Sequence, residues 1–162
     1  MTVLWLLILQ LAASAAMAAI AWFVQRVHYP LFARLAEGVA AENADVESRR
    51  EAVAAWHDEN VRRTRPVVLV PMAAEAATAA WLAAFPPPGI GRPAALVGLA
   101  LVAAAILATL LVQVPLHERL RSGDLSPETV RTLVRSTRLR TAVWSARTAL
   151  AAWMLAAFVG IR

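Results

Sequence analysis

Four runs of roughly twenty apolar residues, at about 3–25, 66–85, 94–116 and 141–160, limit what this chain can fold into more than any other feature. A hydrocarbon core about 30 Å thick is crossed by about 20 helical residues. The runs therefore predict an all-α, integral membrane four-helix bundle that occupies residues 1–162 as a single domain. The first run contains "AMA" at 16–18, the small-x-small form of a signal-peptide cleavage site. It lacks a positive leading region and is too long for a signal peptide, so it is read as a retained span.

The basic residues orient the bundle. All sixteen are arginine, and fourteen belong with the segments 26–65 and 117–140 when Arg147 is counted with its nearer end, while Arg92 and Arg162 fall on the other side. The positive-inside bias makes the arginine-rich side cytoplasmic, with both termini outside, in a multi-pass protein of a bacterial inner membrane. Trp5 and Trp81 would mark the outer interface, and Trp22 and Trp144 the inner one. A formal charge of +5 in a chain that is 60% hydrophobic points to anionic lipid headgroups rather than nucleic acid. The absence of cysteine excludes disulfides, thiolate metal sites, iron–sulfur clusters and a cysteine nucleophile. Single cysteines at Arg92 and Asp124 check the orientation in intact cells: the first is expected to react with an impermeant thiol reagent and the second to be protected. The reverse pattern would overturn it.

The cytoplasmic segments are expected to be helical. Pro30 suits a first helical position, and Leu31, Leu35 and Val39 then recur every four residues, predicting a short interfacial helix lying on the headgroups. Residues 44–65 run into span two with a bend near Pro66. "RSGDLSP" at 121–127 is a turn, and Ser126, Pro127 and Glu128 start a helix whose face Val130, Leu133, Val134, Thr137 and Thr141 continues into the last span.

Few residues carry chemistry. "LVQVPLHERLRSG" closes the third apolar run with Gln113 and His117 four positions apart, and "WFVQRVHYP" closes the first with Gln25 and His28. The topology puts His28, His57 and His117 on one side of the membrane. Imidazole suits zinc, copper and iron, so the three histidines are candidate ligands for a metal or haem. Against this, His57 stands well before Pro66, about 13 Å along a straight helix, which keeps it apart unless the proline redirects it. Interfacial histidines also cap helix ends and contact headgroups, and that reading stands beside a shared site. The two exits are expected to face each other as packing contacts. Inside the spans lie Glu75 and Arg147, which either pair and fix helix register or leave Glu75 protonated, able to donate a hydrogen bond to a quinone or pigment carbonyl. Arg140, Trp144 and Arg147 share a face of the last helix.

The stretches "VHYPLFARL", "QVPLHERL" and "RLRTAVWSAR" resemble small four-helix bacterial membrane proteins of unknown function that are distantly similar to the anthrone-oxygenase-like family. Where that family has an asparagine ahead of the Arg-Thr pair, this chain has Thr137 before Arg140 and Thr141. The resemblance implies oxidation of a polycyclic aromatic substrate, with Arg140, Trp144 and the histidines as contacts. Two functions are thus expected. The first is an accessory or structural subunit that packs against other membrane proteins or a second copy, in a respiratory or photosynthetic complex. The second is a membrane oxidoreductase or cofactor-binding protein with a His/Arg site at the cytoplasmic face.

Overall fold

The computed structural model describes residues 2–41 and 46–160, all helix apart from two short turns. Four continuous helices, Thr2–Glu37, Arg50–Ala84, Arg92–Arg121 and Pro127–Gly160, are long and apolar enough to cross a membrane, and they form an all-α four-helix bundle. In finer division the elements are α1 (Thr2–Phe23), α2 (Tyr29–Ala41), α3 (Val46–Ala84), α4 (Arg92–Ala108), α5 (Val114–Arg121) and α6 (Pro127–Gly160). α1 packs on α6 and α3, and α4 closes the bundle against the same two.

α1 joins α2, and α4 joins α5, through single π-helical turns, Val24–His28 and Thr109–Gln113. Each turn ends two residues before a proline, Pro30 or Pro115. Proline has no N–H to continue the α-ladder and its ring crowds the carbonyl four residues back. The chain takes up the misfit by widening one turn: Tyr29 N–H donates to Val24 O, and Val114 N–H donates to Thr109 O. Such π-turns are a recurrent feature of functional sites.

Pro30 therefore starts no separate interfacial helix. The first helix runs on without a break, and beyond Pro30 it buries Phe32 and Ala36, while Leu31 and Leu35 stay half exposed. The side chain of Val39 and the whole of Arg162 lie outside the described residues. α3 is likewise continuous through Pro66 and Pro71. The turn before α6 follows its sequence signals. Gly123 takes φ 86°, where a side chain would strain the backbone, and Ser126 Oγ accepts the Thr129 N–H at 3.3 Å as an N-cap. Hydrogen bonds from Ser126 and Thr129 hold the Asp124 carboxyl below the usual carboxylate range. Val130, Leu133, Thr137 and Thr141 all face inward.

The core is layered. Leu7, Leu82, Ile90, Met154 and Phe158 form an apolar layer at the Arg92 end, and Met17, Ala21, Ala105 and Trp144 form a second one towards the arginine-rich end. Trp22 is half exposed, with its indole N–H on Ser145 and Arg26 over its ring. Trp5 and Trp81 are exposed. Trp144 departs from the expected interfacial belt: it is 1% exposed, because the small side chains at Ala18, Ala21 and Ala105 leave the bundle axis open for the indole to fill.

Between the two layers lies an ion pair. Glu75 and Arg147 are both within 1% of full burial, and Arg147 Nε stands 2.5 Å from a Glu75 carboxylate oxygen. Two charges inside apolar runs have few places to go, and here they are matched across α3 and α6, as one of the two sequence expectations held.

Candidate functional site

The arginine-rich end of the bundle brings side chains from all four long helices together, and the two π-turns aim them. Each inserts one residue into its helix and so rotates the turns beyond it relative to the turns before it. After the first turn comes Tyr29, buried at 2% exposure, and the second ends on Gln113, equally buried. Tyr29 is the lone tyrosine of the chain. Its hydroxyl is 3.3 Å from Gln113 Oε1 and 3.4 Å from His117 Nε2. His117 Nδ1 is in turn 3.0 Å from His57 Nε2, with the two imidazoles stacked at 5.0 Å.

Donor and acceptor capacities give this network a direction. The Gln113 amide donates to Ser136 Oγ at 2.7 Å, and Ser136 donates to the Leu133 carbonyl. Gln113 Oε1 can only accept, so Tyr29 spends its proton there and its oxygen accepts from His117 Nε2–H. His117 Nδ1 is then bare and accepts from His57 Nε2–H. Five hydrogen bonds run the same way, from His57 to the backbone of α6, an arrangement in which each bond polarises the next. The chain starts at His57 Nδ1, an acceptor that is buried and has no hydrogen-bond partner among the described residues. Two imidazolium rings could not share this contact, since each would offer only donors.

His28 belongs to an adjoining compartment. Asn60 Nδ2 donates to its Nε2 at 3.0 Å, which leaves Nδ1–H as the donor that His28 can offer elsewhere. Its ring lies nearly parallel to Trp56 (5.7 Å, 21°), and Trp56 lies nearly parallel to Phe32 (6.2 Å, 11°). Phe32 also touches His57, with ring centroids 5.0 Å apart. His28 and Trp56, with Leu31, Arg34 and Leu35, line an open groove of about 370 Å³.

The expected separation of His57 from His117 does not occur. Measured from Pro66, His57 is remote. Measured from the ion pair, it is level with its partner: Glu75 to His57, and Gly98 beside Arg147 to His117, are both about 27–29 Å at helical rise. Where the apolar composition starts differs between the two antiparallel helices, so it is a poor common origin. His28, about 21 Å from Ser14, matches Asn60 in depth rather than His57. No group of three or more His, Asp or Glu side chains among the described residues is placed to hold a metal ion.

The two helix exits do face each other, through a residue not among the candidates. Gln113 meets Tyr29, whereas Gln25 Oε1 is buried without a hydrogen-bond partner among the described residues. The Thr137 hydroxyl and the Arg140 guanidinium lie beside the Tyr29 hydroxyl. Trp144 is one turn further in and belongs to the core. Tyr29, Phe32, Trp56, Asn60 and Ser136 complete the site. The available signal for Tyr29 was its place immediately before Pro30, matching Val114 before Pro115. Against protein-family models, curated proteins and solved structures, the chain finds no match.

Proposed function

We propose that this chain is a membrane protein that binds a planar aromatic molecule bearing a carbonyl or hydroxyl oxygen, of the quinone or polycyclic phenol class, at its arginine-rich end. In this reading the buried histidine pair serves the proton chemistry of that molecule. The observation that carries the proposal is the directed chain of hydrogen bonds headed by the unpartnered His57 Nδ1. The accessory-subunit reading gives that network only the role of fixing how the helices pack. The groove supports the ligand class: the parallel rings of His28, Trp56 and Phe32 form a stack that another flat ring can extend. His28 Nδ1–H and Arg34 are donors for an acceptor oxygen at its rim.

Equilibrium dialysis of a water-soluble naphthoquinone against the detergent-solubilised protein tests this. Saturable binding of one molecule per chain is expected, weakened about tenfold by Trp56→Leu or by His28→Ala, the range of one aromatic stacking contact. Equal uptake by wild type and both variants would mean partition into the micelle, and the proposal would fall. The accessory-subunit reading draws on the large apolar side chains that face outward, among them Leu111 and Trp153. Its mark would be another membrane subunit co-purifying with a chain that takes up no quinone, and histidine variants that lose the partner.

A further inference from the structure

The layer between the two apolar clusters is more polar than its one ion pair requires. Gln10, on α1, is 1% exposed, and neither its amide oxygen nor its amide nitrogen has a hydrogen-bond partner among the described residues. Arg147 has none for Nη1 or Nη2. The Glu75 contact is made at Nε, so the two NH₂ groups remain to be satisfied. One turn along α6, the buried Trp144 indole N–H is also unpartnered. The side chains between them do not supply what is missing. The Ser14 hydroxyl, next to Glu75, donates to the Gln10 backbone carbonyl, and Thr78 donates to the carbonyls of Ala74 and Glu75.

A buried donor or acceptor left unmade costs about 1–3 kcal/mol, more for charged groups, and native interiors leave few of them. Here several lie on α1 and α6, which pack on each other. Neighbouring inward positions carry small side chains, Ala79, Ala95 and Ala151. The ligand class follows from this donor set. An anion is excluded, because Glu75 already neutralises Arg147, and an apolar guest would satisfy none of the amides. Water both donates and accepts, and buried water typically makes about three hydrogen bonds to groups of this kind.

We propose that the centre of the bundle is a hydration site, in which enclosed water molecules bridge the Gln10 amide to the Glu75–Arg147 pair and to the Trp144 indole. The apolar layer of Leu7, Leu82 and Phe158 closes it towards the Arg92 end, and Met17, Ala21 and Ala105 close it on the other side. The site rests on residues remote from the groove and the histidines, so it stands whatever binds there.

Gln10→Leu discriminates by the sign of its effect. If the amide is dry and unsatisfied, leucine removes a penalty and the protein becomes harder to unfold. If water bridges it to Arg147, leucine displaces that water, strands the guanidinium, and lowers the midpoint of thermal unfolding by several degrees. The fall is expected, and an unchanged or raised midpoint would overturn the hydration site. Should the variant fail to fold, the wild type answers alone. In ¹⁵N-labelled protein, magnetisation transfer from water to the Trp144 indole proton and the Gln10 side-chain amide protons is expected, and its absence at both positions would sink the idea.

Discussion

Removing the Glu75 carboxylate by Glu75→Ala, with Arg147 left in place, is expected to destabilise the bundle by about 3–5 kcal/mol, the usual consequence of leaving one member of a buried pair uncompensated. Arg147 has little means of escape. It is 1% exposed, and its guanidinium lies against α4 with apolar layers above and below. The charge reversal Glu75→Arg with Arg147→Glu restores neutrality, and should return more monodisperse protein, and a higher denaturant midpoint, than either reversal alone. Equal losses in the double and single variants would show that the two groups do not act as a pair. Replacing both by apolar residues of similar volume is the informative third case. Buried ion pairs are often neutral or costly relative to such replacements, so recovery there would mean the pair specifies helix register rather than adding stability.

Gly98→Val is the second large effect. A Cβ added at Gly98 would stand 3.1 Å from Arg147 Nη1 and 3.3 Å from its Cζ, and the branched side chain would add two methyl groups to that crowded wall. The guanidinium cannot yield without leaving Glu75. Overpacking of this kind costs about 1–3 kcal/mol, and part of it should vanish in an Arg147→Leu background, because the clash is with the longer side chain. A full penalty in both backgrounds would locate the problem in the backbone of α4 instead. Thermal unfolding of the four proteins in one detergent gives the comparison.

The features legible in the sequence were local or forced. The spans follow from composition over about twenty residues, and the start of α6 from the Ser126, Pro127 and Glu128 signal, since N-caps depend on immediate neighbours. Glu75 and Arg147 could be paired in advance because two charges in otherwise apolar segments have few alternatives. The histidine site was half legible. Its members could be named, but the depth of His57 was counted from Pro66, a mark of composition, when the ion pair supplies the true common level. Tyr29 was missed because its value depends on partners more than eighty residues away in sequence. The π-turns leave a sign in Pro30 and Pro115, but proline in a sequence equally signals a helix start, as expected at Pro30, or a bend, as expected at Pro66. Pro30 and Pro115 instead each follow a widened turn that lets the helix continue. Trp144 illustrates the limit of residue-type rules: tryptophan favours interfaces, but an axis lined with alanine gave it a larger apolar contact inside.

The common level set by Glu75 and Arg147 has a consequence for supply. A hydrocarbon slab about 30 Å thick centred there ends about 15 Å away, close to Arg65 and Arg138, and the headgroup zone adds a further 5–7 Å or so. The groove beside His28 then opens among the headgroups, where an amphiphile dissolved in the membrane can enter sideways without crossing into water. His57 and His117 stand about one turn beyond, with His57 closed off inside the bundle. If the groove takes the proposed guest, that guest comes to it from the lipid, at a different depth from the buried His57–His117 contact.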